Sequence, residues 1–196
     1  MVRTCAKAIQ SGGVVVIPTD TVYGLACNAF NPIGVEKIYA LKGRSYTKAL
    51  PIFLSDASQL PLVARDILPE TELLIDAYWP GPLTLVFKTG PMALGAARGK
   101  ASIAVRIPDH KLVLNLLKAV HVPLAVTSAN KSGKRACVAG DEARDLFESL
   151  VDVVVDGGVC VGGLESSVVD VTHYPFTILR EGAISRRDLI KKLNLG

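Results

Sequence analysis

At five places an apolar stretch or a helix runs straight into small hydroxyls or a cation, the groups that hold anions. After Val14–Pro18 comes Thr19-Asp20-Thr21, two hydroxyls flanking a carboxylate, suited to a polar ligand or to an ordinary turn held by Asp20. Lys42-Gly43-Arg44, with Lys48 shortly after, closes a helical pattern. Residues two apart do not share a helix face, yet a helix ended by Gly43 lets both cations turn toward one anion. Compensation of the helix dipole is the plainer alternative. Ser102 and Arg106 share one face of a strand, and an arginine closing a buried strand needs an acidic partner or an anionic ligand. Thr127-Ser128-Ala129-Asn130 ends another strand in polar groups that also suit a turn. Glu165-Ser166-Ser167 precedes a strand, and Arg180 closes the next, where an ion pair with the adjacent Glu181 or another carboxylate is the plainer alternative. Two strand-end arginines, a Lys/Arg pair and several hydroxyls together suit a small, multiply anionic ligand such as a nucleoside triphosphate.

Other nucleotide and hydrolase signatures fail. Gly95-Ala-Ala-Arg-Gly99-Lys100-Ala-Ser102 approaches a P-loop, but its spacing misses by one residue on both sides, and that loop needs its N–H groups in register around the phosphates. There is no G-x-S-x-G, H-E-x-x-H or calcium loop. Asn130-Lys131-Ser132 matches a glycosylation sequon, which a cytoplasmic chain would not use. Cys5, Cys27, Cys137 and Cys160, with His110, His121 and His173, lack zinc-ligand spacing, so no structural metal is expected.

These residues need elements to place them. The β-branched run Val14–Ile17 reads as a buried strand, and further strands are predicted at Leu50–Leu54, Leu83–Phe87, Ser102–Ile107, Leu124–Thr127, Val153–Val155, Val168–Val171 and Thr177–Leu179. Helices are predicted at Thr4–Ser11, Pro32–Lys42, Glu70–Tyr78, Lys111–Ala119, Asp141–Leu150 and Ser185–Leu193, with Gly43 as the stop of the second and Ser185 and Asp188 capping the last. Gly90–Lys100, Lys131–Gly140 and Gly157–Gly163 read as surface loops. Interleaved strands and helices argue for an α/β or α+β sheet in one domain, residues 1–196. In open parallel sheets ligands bind at the carboxyl ends of strands, which is where the polar groups fall.

Composition narrows the classes. The 196 residues are 49% hydrophobic and 20% charged, the opposite of a disordered chain. The longest charge-free stretch, Thr21–Val35, is interrupted by Asn, Gly and Pro and falls short of the roughly 20 apolar residues of a membrane span. The N-terminus has no apolar signal region, and free thiols suit a reducing cytoplasm. A net charge of +4 permits an anionic partner without describing a broad nucleic-acid face.

Seven stretches in one order carry a resemblance over about residues 5 to 190: Pro18-Thr-Asp-Thr-Val-Tyr-Gly-Leu25, Lys42-x-Arg44, Pro80-Gly-Pro-Leu-Thr84, Ala104-Val-Arg-Ile-Pro108, Ser128-Ala-Asn130 with Ser132-Gly133, Glu165-Ser-Ser-Val-Val-Asp170 and Leu179-Arg-Glu-Gly-Ala-Ile184. The chain resembles the YrdC-like family of L-threonylcarbamoyladenylate synthases. The resemblance implies a twisted open α/β sheet flanked by helices, with a concave, positively lined face. It implies a reaction in which L-threonine, bicarbonate and ATP give threonylcarbamoyl-AMP and pyrophosphate. The product would pass to a tRNA threonylcarbamoyl-transfer complex.

Residue by residue, the resemblance places Thr21, Arg106 and Ser166 on threonine, with Val126 offering backbone groups. It sets Lys42 and Arg44 at the reacting phosphates, and Arg44, Lys48, Ser102, Ser128 and Arg180 along ATP. Magnesium would travel with the ATP phosphates. Three departures stand out: Ala136 in place of a nucleotide-contacting serine, Phe53 in place of a histidine found in some relatives, and Ser167 in place of a threonine. The length fits the catalytic domain alone. A competing account is a non-catalytic module of the same fold that binds double-stranded RNA or tRNA through Lys131, Lys134, Arg135, Arg186, Arg187, Lys191 and Lys192. The carbamoyl-transfer domain of hydrogenase maturation is disfavoured because its zinc-finger cysteines are missing.

Overall fold

The structure, a computed structural model, describes residues 1–193. Helix α1 (Val2–Gln10) buries Cys5, Ala6 and Ile9 and leads into β1 (Val15–Ile17), all of whose side chains are buried. Strand β2 (Gly24–Asn28) was not predicted, because Gly-Leu-Ala-Cys-Asn carries no β-branched residue. Helix α2 (Pro32–Lys42) starts where Asn31 accepts from the amides of Ile33 and Gly34, and it stops at Gly43 in the left-handed conformation (φ 59°). The middle of the chain supplies β3 (Ile52–Phe53), α3 (Leu60–Val63), β4 (Ala64–Arg65), α4 (Glu72–Tyr78), β5 (Leu83–Thr89), α5 (Leu94–Ala97) and β6 (Ser102–Arg106). Then follow α6 (Lys111–Val120), β7 (Leu124–Ser128), α7 (Gly140–Phe147), β8 (Val153–Val154), β9 (Ser167–Asp170), β10 (Thr177–Arg180) and α8 (Arg186–Leu193). Ser185 caps α8, accepting from the Asp188 amide (3.1 Å) and donating to its carboxylate (2.6 Å). The expected loop 90–100 is a correction: it contains a 3-10 turn and α5, and it buries Ala93, Ala96 and Ala97.

The strands form one sheet in the order β10-β9-β5-β6-β3-β7-β2-β1-β8, with β4 paired to the other side of the β5 end. Alternation along each strand divides the core in two. Val15, Ile17, Ala26 and Val126 pack with α1 and α6, while Val16, Leu25, Leu85 and Val105 join the larger cluster that takes in α2, α4, α7 and α8. Among the described residues no helix is long and apolar enough to cross a membrane, and all four cysteines are unpaired and buried.

The parallel-sheet premise needs correcting. Six of the nine strand pairings are antiparallel and three are parallel. Because β3 runs antiparallel to β7, the carboxyl ends of β1 and β7 and the amino end of β2 fall at one end of the sheet, and the carboxyl ends of β3, β6 and β10 with the amino ends of β5 and β9 at the other. Ser102 and Arg106 stand at opposite ends of β6, with Arg106 in the second of these sets.

Candidate active site

Lined by residues from both of these sets of strand ends is an open cavity of about 170 Å³, below the roughly 300–1,000 Å³ of pockets that enclose a drug-sized ligand. Its depth suits a small polar metabolite, and anything larger must extend through the mouth. Seven of the ten residues expected at the site line it: Thr21, Arg44, Arg106, Val126, Ser128, Ser166 and Arg180.

Arg106 forms the floor. Strand β6 ends at this residue and leaves only 3% of it exposed. Its Nε donates to Gly81 O (2.8 Å), Nη1 donates to Thr21 Oγ1 (3.0 Å), and Nη2 is ion-paired with Asp20. The Phe53 ring lies below it, 5.6 Å from the guanidinium carbon. Asp20 is thus the acidic partner that the buried arginine required. A guanidinium carries five N–H donors, so two remain for a ligand, the fork that grips a carboxylate. Burial pulls the Arg106 pKa down against the opposing pull of Asp20.

The hydroxyls are locked in place. Thr19 Oγ1 donates to Val22 O (2.7 Å), accepts the Thr21 amide (3.1 Å) and lies 3.0 Å from Thr21 Oγ1. Thr84 and Ser166 share a buried hydrogen bond of 2.8 Å. Thr84 is a site residue without an assigned role in the sequence reading, and its signal is a hydroxyl near the start of an otherwise apolar strand. Across the mouth, Arg180 holds Ser166 O through Nη2 (2.7 Å) and Nε (3.2 Å) and pairs with Glu165, a carboxylate other than the adjacent Glu181. This approach needs Gly182, where a Cβ would meet Glu165 O at 2.3 Å. Arg44 Nε donates to Lys48 O (3.2 Å) and Nη2 to Ala49 O (2.8 Å); burial lowers its pKa.

Three expected residues stand elsewhere. Lys42 is buried beneath β7, where Nζ donates to Ser128 O, Asn130 O (3.1 Å) and Asn130 Oδ1 (2.6 Å). Ser128 Oγ donates to the same Asn130 Oδ1 (2.8 Å). Lys42 therefore braces the Ser128–Asn130 turn and presents no amine to the cavity. Burial first, then the Arg44 charge, bring its pKa down to about 8. Lys48 is exposed and contributes its carbonyl. Ser102 lies at the other end of β6, in a hollow with Arg65, Lys88 and Thr172. Ser167, beside the site, is structural: its Oγ donates to Ile184 O and accepts from the Gly182 and Ile184 amides.

Among the described residues no three His, Cys, Asp or Glu side chains cluster as metal ligands, and Glu165 on the cavity wall and Asp20 behind Arg106 are each bound to an arginine. Three arginines and locked hydroxyls around one cavity of an α/β sheet suit a small anionic metabolite. The Sua5/YciO/YrdC family model, described as telomere recombination, matches residues 7–182, and the chain belongs to that family.

The threonylcarbamoyl-AMP synthase of Pyrococcus abyssi is 36% identical over 191 residues, covering 97% of this chain and 56% of that protein. The Bacillus subtilis protein of the same name is 34% identical, over 96% and 55%. The chain thus spans about half the length of these curated relatives. The crystal structure of P. abyssi Sua5 complexed with L-threonine matches with a TM-score of 0.94 at 35% identity, over 97% of this chain and 56% of that one.

Proposed function

We propose that the chain is an L-threonylcarbamoyladenylate synthase, making threonylcarbamoyl-AMP and pyrophosphate from L-threonine, bicarbonate and ATP. The observation that carries this reading is Arg106: a nearly buried guanidinium on the cavity floor, anchored by Asp20, Thr21 and Gly81, with two donors left for a carboxylate. The P. abyssi relative is complexed with L-threonine, a ligand whose carboxylate suits that fork.

On this reading Arg106 and Thr21 take the amino-acid carboxylate, and the Thr84–Ser166 hydroxyl pair and the Val126 backbone hold the rest of the molecule. The amine adds to bicarbonate with loss of water, giving an N-carboxylate. One of its oxygens attacks the α-phosphorus of ATP as the bond to the bridging oxygen breaks, and pyrophosphate leaves with that electron pair. The nucleophile comes from the substrates, so the chain's part is positioning and charge stabilisation. Arg44 and Arg180, at the mouth, face the phosphates, and Ser128 lies on the nucleotide side. On this reading magnesium comes in with the nucleotide, on the ATP phosphates. The product then passes to a tRNA threonylcarbamoyl-transfer complex in the cytoplasm, a setting in which four unpaired thiols are at home.

The RNA-binding alternative gains little from the structure. Arg135 is paired with Glu142, and Lys131 Nζ donates to Leu41 O (2.8 Å), whereas the arginines of the site converge on one cavity. The test is pyrophosphate release. We expect turnover only with ATP, L-threonine and bicarbonate together; tRNA binding without release in the complete mixture would overturn the reading.

A further inference from the structure

The segment Gly95–Ser102, which fails as a P-loop, has other work. Arg98 ends α5 in the left-handed conformation (φ 54°), and Gly99 follows at φ 72°. An L side chain is costly there and persists where its surroundings hold it. The Arg98 guanidinium carbon stands 4.3 Å from the Tyr46 ring centroid and 4.9 Å from that of Tyr39. It is also ion-paired with Glu36, whose other oxygen accepts from Tyr46 Oη (3.1 Å). An exposed ion pair alone would count for little; here four side chains from α2, α5 and the loop between α2 and β3 close on one another.

That loop carries Arg44. Tyr39 Oη donates to Lys48 O (2.7 Å), the same carbonyl that takes Arg44 Nε, while Arg44 Nη2 takes Ala49 O. The Leu50 amide donates to Ala96 O (3.1 Å), tying the far end of the loop to α5. At its start Gly43 has no atom within 4 Å of where a Cβ would lie, so no side chain packs over that turn, and backbone bonds hold it: the Gly43 and Arg44 amides donate to Ala40 O (3.2 Å) and Tyr39 O (3.1 Å).

We propose that Arg98 is a positioning residue for the nucleotide side of the cavity: stacked on Tyr39 and Tyr46 and paired with Glu36, it holds residues 43–49 where the Lys48 and Ala49 carbonyls aim Arg44 at its ligand. The inference rests on the reading of Arg44 as a phosphate-binding group.

The test compares Arg98→Gly, which keeps the left-handed turn without strain, with Arg98→Lys, which keeps the charge and loses the planar stack. Amide hydrogen exchange of residues 43–50 and calorimetric ATP affinity are measured beside the KM for L-threonine and the melting temperature. In Arg98→Gly we expect exchange faster by about tenfold and ATP affinity weaker by about tenfold. The threonine KM should stay within about twofold and melting should be unchanged, since a glycine fits this turn. Arg98→Lys should fall between, and Arg98→Gly added to Arg44→Ala should weaken ATP binding no further. Unchanged exchange overturns the proposal, as does faster exchange with unaltered ATP affinity, or a lower melting temperature with both substrates weakened alike. A wild-type chain that binds no ATP removes the functional reading, and exchange alone then decides whether Arg98 holds the loop.

Discussion

The floor and the mouth of the cavity both use arginine, and they use it differently. Arg106 is 3% exposed and commits three donors to an aspartate, a threonine and a carbonyl. Arg180, at the mouth, has a side chain 45% exposed and a half-exposed glutamate as partner, and Arg44 hangs from loop carbonyls. A charge fixed in a dry, low-dielectric place acts strongly at short range and cannot readjust, while a hydrated one attracts at longer range and is screened by salt. The floor therefore selects a ligand group by geometry, and the mouth gathers charge.

The largest expected effect is at the floor. Arg106→Ala leaves the largely covered Asp20 without its cation, which costs about 3 kcal/mol of stability, and activity should fall by about a thousandfold or more. Urea melts and pyrophosphate release measure the two, and Arg106→Met with Asp20→Asn should recover stability without activity. At the mouth, Arg44→Ala should raise the nucleotide KM by about a hundredfold and Arg180→Ala by about tenfold, both within about 1 kcal/mol of wild-type stability. If Arg180→Ala destabilises as much as Arg106→Ala, the distinction between floor and mouth fails.

A smaller, pH-dependent effect comes from Lys42, whose pKa burial brings down to about 8 from 10.5. Between those values the unfolded chain keeps a proton that the folded chain has lost, so stability from this group rises with pH. The nucleotide KM should rise over the same interval, because a neutral amine keeps two N–H groups for three acceptors. Lys42→Arg, ionised throughout, should flatten both profiles. Ser102→Ala, remote from the cavity, should change activity by less than about twofold; a larger loss would mean that the far hollow takes part.

What the sequence revealed of this site follows from what spacing can express. Arg106 announced its need for a partner, since an arginine closing an apolar strand is seldom left alone, but nothing local named Asp20, 86 residues away. Helix α2 was legible at both ends because Pro32 and Gly43 are backbone signals, whereas β2 was hidden by its small residues. The resemblance set Lys42 beside Arg44 at the phosphates, yet the left-handed turn at Gly43 sends them apart, one under β7 and one into the cavity. Ser102 was misplaced because sharing a strand face with Arg106 says nothing about which end of the strand meets the ligand.

The mixed sheet has a consequence for folding. Residues 21, 44, 84, 106, 128, 166 and 180 meet only when strands distant in sequence have paired, so the cavity has high contact order and no fragment of the chain contains it. A ligand that needs all its walls binds the folded state alone. At a hundred times its dissociation constant it should add about 2.7 kcal/mol to the stability of the whole chain, so that a thermal shift reports occupancy of the cavity before any chemistry occurs.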